Sequence, residues 1–414
     1  MTQGDGARGS AVLEALAQQP AGPELLALSR ERGDLALVGG AVRDLLTGRS
    51  PRELDVTVDH GSAELAAQLS ARLPQGSETV HARFGTASVT SAGGCIDIAE
   101  RRAESYPQPG ALPQVRPGSP AEDLARRDFT VNAMSVPLGG PRRGLLEGVE
   151  HATEDLASGR LRVLHDRSFL DDPTRLLRLA RYASRLGYAI EPHTAELAQA
   201  ALAAAALDTV SGARTGAEIR LATAEDRPLA ALSALGELGV LGALGLAPRY
   251  DAALAERALR LLPLEGLAVI PLAVVLRSPD PPARRAAARM LDEFEYHADT
   301  RERALSAAFD ADGLAAALEQ ASRPSSLYAL LSGQPLETVA LAGALGSRAV
   351  HERVREWLER LRHVQLEIDG ADLLRAGVPQ GPELGRRLRR ALEAKLDGEL
   401  DGGGPDAELR AALA

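Results

Sequence analysis

The sequence predicts an α+β chain: a small mixed β-sheet with helices at the N-terminus, and helices alone after it. Three features carry this expectation. Short apolar or alternating runs bounded by glycine recur up to Leu138, which is the pattern of strands. Beyond about residue 150 such runs become scarce, and long Ala/Leu/Arg stretches at helical spacing take over. Strands gathered first and helices afterwards is the order of a segregated α+β chain.

Residues 1–30 read as a polar tail followed by helical turns broken near Pro20 and Pro23. The opening MTQGDGARGS has no apolar run after a basic start, so it reads as a frayed end and not as a signal peptide. DLALV (34–38) suits a buried strand, Gly39-Gly40 breaks it, and AVRDLL opens a helix. LDVTV (54–58) alternates and is β-branched, hence a second strand. Residues 63–73 are helical, with Ser62 as the candidate N-cap. TVHARFGTASVT (79–90) and CIDIA (95–99) are further strands, separated by a turn at Ala92-Gly93-Gly94. The Pro- and Gly-rich run 107–120 reads as a mobile loop, and EDLARRDFTVNAMSVPL (122–138) as a helix and a strand. Pro/Gly punctuation near 211–216, 279–282, 333–335 and 377–382 interrupts the later helices.

With 414 residues and 45% hydrophobic content, the chain is long enough for two or more packed units. A single cysteine, Cys95, excludes an internal disulfide and points to a reducing compartment, the cytosol. No apolar stretch reaches the ~18 residues of a membrane span. The net charge of −10 weighs mildly against nucleic acid as a partner. Of the 47 basic residues, however, only Lys395 is lysine. A G+C-rich genome accounts for most of that bias, so what matters is where particular arginines sit.

The densest chemistry lies in LVGGAVRDLLTGRSPRELDVTV (37–58). A strand ends at Gly39 and Gly40 and a helix opens at once. Glycine lets backbone approach a phosphate, and a helix N-terminus offers free N–H groups to it. Arg43, read as lying in the first turn, would reach a triphosphate. On the next strand Glu53 and Asp55 are two apart and therefore share a face. Two carboxylates so placed suit a pair of Mg²⁺ ions about 3.5–4 Å apart, as used for in-line phosphoryl transfer. Asp97 would be a third acidic neighbour. A lone Gly-Gly or a lone E-x-D is ordinarily a plain turn with solvent-facing acids; here both occur on consecutive strands joined by one short helix. No P-loop motif and no G-x-G-x-x-G after a strand is present.

GGAVRDLL followed by ELD resembles the head signature of class II tRNA nucleotidyltransferases and bacterial poly(A) polymerases, of the polymerase-β superfamily. That family usually has D-x-D where this chain has Glu53-Leu54-Asp55, and glutamate is itself a plausible Mg²⁺ ligand. DLARRDFTVNAMS (123–135) resembles the family's RRDFTINAM motif. The resemblance implies that Arg127 contacts the incoming nucleotide and Asp128 its ribose hydroxyl. Phe129 and Met134 read as core, and Asn132 either as a buried hydrogen-bonding tie or as a substrate contact.

FLDDPTRLLRLARYASRLGY (169–188) resembles the family's EDPLRILRAVRFAARLGF. Asp172 and Arg175, three apart on an expected helix, would share one face and offer acceptors and planar donors to a base edge. In the family this pair is the protein template for C and A, and Arg178 and Arg181 would grip the triphosphate. Read alone, the segment is an amphipathic helix with i,i+3 ion pairs. The loop 101–119 resembles one subgroup of the family's flexible loop, which includes A-adding enzymes. IDGADLLRAGVPQGPELGRRLRRALEAKLDGEL (368–400) is similar to the family's tail, where Arg386, Arg387, Arg389 and Arg390 would either meet RNA phosphates or form a solvated basic face. His165-Asp166 stands in the wrong place for a fused phosphohydrolase domain.

The resemblance therefore implies a nucleotidyltransferase head with an all-α neck, body and tail, in an enzyme adding CCA, or part of it, to the tRNA 3′ end. The expected segments are an extension (1–30), head (31–150), neck (151–225), body (226–350) and RNA-binding tail (351–414). Two Mg²⁺ ions, ATP and CTP, the tRNA acceptor arm and a cytoplasmic location are implied, with no membrane. A separate CC-adding enzyme would be a partner if only A is added. A-only addition, poly(A) synthesis and a catalytically silent RNA-binding protein are the alternatives.

Overall fold

The computed structural model describes residues 3–81, 85–264, 266–277, 284–400 and 403–414. Contacts divide it into two compact units, Met1–Ser211 and Gly212–Ala414.

The first unit is built on a seven-stranded mixed sheet. Its strands are β1 (Ala36–Val38), β2 (Glu53–Val58), β3 (Ser77–His81), β4 (Thr86–Ser91), β5 (Gly94–Glu100), β8 (Met134–Pro137) and β9 (Glu147–Gly148), in the spatial order β3-β4-β5-β2-β1-β8-β9. Between β5 and β8, β6 (Arg102–Ser105) and β7 (Gln114–Pro117) pair with each other. Only β2 and β5 run parallel among the central strands. The expected strand through TVHARFGTASVT is a β3–β4 hairpin, and 82–84 lie outside the described residues.

Alternation along the strands gives the sheet two different faces. Leu54, Val56 and Val58 of β2, Ala87 and Val89 of β4, and Ile96 and Ile98 of β5 pack into one buried cluster. Helices α1 (Gln3–Ala17), α2 (Gly22–Glu31), α3 (Gly39–Leu46) and α4 (Ser62–Arg72) cover that face. Glu53, Asp55 and Asp97 are left on the other.

The N-terminal residues are not a frayed tail. In α1, Val12, Leu13 and Leu16 recur at helical spacing and are buried in the head core with Leu25 and Leu28 of α2. Gly9 lets α1 lie directly on the backbone of Gly144, where a Cβ would collide with the Gly144 carbonyl oxygen. One of the glycines that made the segment look like a tail, Gly9, is what permits the close packing. Ser62 is the first residue of α4 and Gly61 its N-cap, one position from the expected cap. The expected loop at 107–120 is only partly loop: residues 106–113 connect the β6–β7 hairpin, Gln114–Pro117 form β7 itself and Pro120 opens the next helix, and Gly110 N–H donates to the Leu170 carbonyl at 3.1 Å.

The rest of this unit comprises α5 (Pro120–Ala125), α6 (Ala152–Ser158), α7 (Ser168–Asp171), α8 (Thr174–Leu186) and α9 (Pro192–Ala203). One short parallel pair interrupts the helices, β10 (Arg160–Leu161) with β11 (Ala189–Ile190).

The second unit is helical. Its longest helix, Ala298–Gln320, turns the small residues Ala304, Ala307, Ala308, Ala311 and Ala315 inward. The punctuation near 279–282 falls outside the described residues. Ile368, Leu373, Val378, Ala391 and Ala412 form a separate small core near the C-terminus. It is tied by Glu408, which accepts from Lys395 at 2.6 Å and from the Glu367 and Ile368 N–H groups.

Candidate active site

Three carboxylates meet on the exposed face of the sheet. β2 and β5 are parallel and in register, so Asp55 lies directly beside Asp97, and Glu53 lies two residues along the same face. One oxygen from each of the three falls within 4.8 Å of the others, the only such grouping among the described residues. Ser88, on β4 and opposite Asp97, donates to Asp97 Oδ1 at 2.5 Å, with the Cys95 thiol 3.7 Å from the same oxygen.

Burial, and then the charges of Glu53 and Asp97, push the Asp55 carboxyl up to about 7, against the pull of Arg127 and Arg43. A cation at this point would relieve that repulsion. The donors are all hard oxygens, the set Mg²⁺ takes, so the residues fit such an ion.

Val38 leaves β1 in extended backbone, Gly39 turns at φ +68°, and α3 begins. A Cβ on Gly39 would sit 2.7 Å from Arg127 Nη1 and 3.5 Å from Asp55 Oδ2. The glycine thus lets one guanidinium lie against the turn beside the carboxylates. Arg127 is held from behind by Asp123 at 3.1 Å, and its Nε is buried without a partner. Asp123 also takes two bonds from Arg126 at 3.0 and 2.8 Å.

Arg43 is not in the first turn of α3: it is the fifth residue of an eight-residue helix, and it is 1% exposed. Its Nε donates to Asp44 at 2.9 Å and its Nη1 to Asn132 Oδ1. Asn132 is therefore a buried tie. Its amide continues to Asp128 Oδ1 at 3.0 Å, and Asp128 Oδ2 takes Arg178 Nε at 2.9 Å and Nη2 at 2.6 Å. Burial raises the Asp128 carboxyl, but Arg178 and Asn132 outweigh it and bring it down to about 2. One network, Arg43–Asn132–Asp128–Arg178, joins the three motifs picked out in the sequence.

Asp172 does not lie on the same helix as Arg175. It ends α7 in extended backbone, and its Oδ1 accepts from Thr174 N–H at 3.1 Å and Thr174 Oγ1 at 2.6 Å, ahead of α8. Arg175 is buried, with Nη1 on Ser168 Oγ at 2.6 Å and Nη2 on the Arg126 carbonyl at 2.7 Å. Arg181 is buried as well. The Tyr182 ring, unnoticed in the sequence, lies 5.2–5.6 Å from the guanidiniums of Arg43, Arg178 and Arg181 and meets Phe129 edge to face at 5.9 Å. Asp123 and Ser168, both anchors of site arginines, were also missed. Asp123 carried a local signal, its i,i+3 and i,i+4 spacing to Arg126 and Arg127, whereas Ser168 reaches Arg175 from a separate helix, which only the fold arranges.

In the second unit, Arg386 and Arg387 pair with Glu383, and Arg387 also donates to the Ala412 and Leu413 carbonyls. Arg389 and Arg390 are exposed and form no ion pair among the described residues.

The fold and the carboxylate face are those of a nucleotidyltransferase head, and residues 35–162 match the poly A polymerase head domain. The chain is 32% identical over 401 residues to the A-adding tRNA nucleotidyltransferase of Geobacter sulfurreducens, covering 91% of this chain and 44% of that one. It is 41% identical over 207 residues to the CC-adding tRNA nucleotidyltransferase of Deinococcus radiodurans, covering 49% and 54%. Among solved structures, the Thermotoga maritima CCA-adding enzyme complexed with tRNA superposes with a TM-score of 0.77 at 27% identity, covering 97% and 98%. The chain spans 43–48% of the length of the A-adding relatives it matches. The match places a poly A polymerase head domain at residues 35–162, and over nearly its whole length the chain is similar to tRNA nucleotidyltransferases.

Proposed function

We propose that the protein is a template-independent tRNA nucleotidyltransferase that adds CCA, or part of it, from CTP and ATP. The observation that carries this reading is the carboxylate trio Glu53, Asp55 and Asp97 beside the Gly39 turn and Arg127. The 3′-hydroxyl of the tRNA attacks the α-phosphate in line, the new P–O bond forms, and pyrophosphate leaves. Glu53 and Asp55, with Asp97, would hold Mg²⁺, two ions in the full arrangement, which would supply a lowered pKa for the attacking hydroxyl and positive charge for the leaving group.

Gly39 and Gly40 allow the phosphates to approach the backbone at the start of α3. Arg127, and Arg178 and Arg181 on α8, offer guanidiniums to the nucleotide. Asp128 serves the sugar. Asp172 and Arg175 select the base, and the bonds of Arg175 to Ser168 and the Arg126 carbonyl fix the plane of its fork. Arg43 acts from inside, orienting the network through Asn132. The head, neck, body and tail divisions at 31–150, 151–225, 226–350 and 351–414 belong to this proposal. So does an RNA-holding face on the tail at Arg386, Arg387, Arg389 and Arg390. A-only addition, with a separate CC-adding enzyme as partner, fits the same site. No helix among the described residues is long and apolar enough to cross a membrane, and the proposed workplace is the cytoplasm.

Asp55→Ala tests the reading. It is expected to abolish nucleotide incorporation into tRNA while tRNA binding survives. Retained incorporation would remove the carboxylates from the mechanism.

A further inference from the structure

The acceptor capacity of Asp128 is full. Its Oδ1 takes the Phe129 N–H at 2.8 Å and the Asn132 amide at 3.0 Å, and its Oδ2 takes both Arg178 bonds. A carboxylate has about four acceptor positions, so none is left for a ribose hydroxyl. The two halves of this set differ. Phe129 adjoins Asp128 in the chain and Asn132 is four residues on, buried and itself held by Arg43, so the Oδ1 bonds are built into the motif. The Oδ2 bonds come from another element, α8, and from a side chain that is 29% exposed against 8% for Asp128. The half that can be vacated is the half held by the more accessible partner. Arg178 is also the kind of group a triphosphate attracts, since a guanidinium binds phosphate oxygens bidentately.

We propose that Arg178 masks Asp128 in the nucleotide-free protein, and that a triphosphate draws Arg178 off and exposes Oδ2 as the acceptor for the 2′-hydroxyl. The proposal rests on the reading of this site as a nucleoside triphosphate site. Arg178 is then a specificity-determining residue. It makes the choice of ribose over deoxyribose depend on the phosphates, so that sugar selection operates only on a nucleotide equipped to react. The exchange breaks and makes hydrogen bonds only.

The test is competitive binding to the full chain in Mg²⁺, comparing ATP with 2′-deoxyATP and AMP with 2′-deoxyAMP. In the wild-type protein, ATP is expected to be preferred over its deoxy analogue by about tenfold or more, the scale of a hydrogen bond to a charged acceptor. AMP and its deoxy analogue are expected to bind alike within about twofold, because a single phosphate leaves Arg178 in place. Arg178→Met weakens ATP but gives AMP and ATP the same sugar preference. Asp128→Asn brings the ATP preference close to one. Equal sugar preference for AMP and ATP in the wild-type protein would overturn the masking. So would collapse of the preference in Arg178→Met, or its survival in Asp128→Asn. If Arg178→Met does not fold, the wild-type comparison alone decides. A wild-type protein that binds no ATP would instead refute the proposed function.

Discussion

Gly39 is where the glycine turn, Arg127 and the carboxylates converge, so Gly39→Ala should separate folding from chemistry. The backbone there is left-handed, φ +68°, and a non-glycine residue in that conformation costs about 1–2 kcal/mol. The new Cβ would also stand 2.7 Å from Arg127 Nη1, so the guanidinium must shift by several tenths of an ångström, away from the turn and from Asp55. Misplacement on the scale of 1 Å costs about 100-fold in rate. Gly48 supplies the control. It has φ +71° with nothing within 4 Å of the place a methyl group would occupy, so Gly48→Ala bears the backbone cost without the collision. Both variants are expected to unfold at temperatures lower by roughly 2–8 °C, given about 2–4 °C per kcal/mol for a unit of this size. Only Gly39→Ala is expected to lose activity, on the order of tenfold in kcat/KM for nucleotide addition, the part of that loss a shift of several tenths of an ångström represents. Thermal unfolding and single-nucleotide incorporation assays read the two effects. Gly39→Ala activity within threefold of Gly48→Ala would refute the reasoning.

Three further outcomes follow from the same geometry. Asn132→Ala strips a bond from both Arg43 and Asp128 inside the core and is expected to cost about 3 kcal/mol in urea unfolding, at about 1–3 kcal/mol per orphaned group; a loss under 1 kcal/mol would mean that Asn132 ties nothing. The folded-state carboxyl of Asp128 lies near 2 against an ordinary 3.8, so the unfolded state binds more protons between these values. Its contribution, on the order of 2 kcal/mol by linkage, is present above pH 4 and is lost as the pH falls toward 2; Asp128→Asn should flatten that part of the stability profile. Replacing Arg389 and Arg390 by glutamate is expected to weaken tRNA binding and reduce its salt dependence by about one to two phosphate contacts, with the rate on bound tRNA unchanged.

The carboxylate face was legible because it depends on local rules. A strand places every second residue on one side, so Glu53 with Asp55 needed no knowledge of the fold. Asp97 joins them because β5 pairs in register with β2. The glycine turn was legible for the same reason. What the sequence hid is where long side chains spend their donors. Arg43 looked like a phosphate ligand until Asn132, 89 residues later, closed over it. Asp172 looked helical by spacing, but Pro173 at the helix start and the Thr174 bonds place it outside α8. Residues 3–10 looked like a tail because glycine and polar residues outnumber the apolar ones. Three buried side chains and one close backbone approach at Gly9 were enough to dock the helix. For Arg43 and for the N-terminal helix a tertiary partner overrode the local pattern, and for Asp172 its own chain neighbours did.

The central claim is that the Glu53, Asp55 and Asp97 face transfers nucleotides to tRNA. The most direct measurement offers the protein three tRNA transcripts, ending before CCA, after C and after CC, with labelled CTP or ATP and Mg²⁺, beside an Asp55→Ala control. The account predicts Mg²⁺-dependent incorporation into at least one transcript and none in the control. CTP entering the first transcript, followed by A, would mark complete CCA addition, and ATP entering only the CC-ended transcript would mark A addition alone. Tight tRNA binding with no incorporation into any of the three would contradict the account and leave a silent RNA-binding protein in its place.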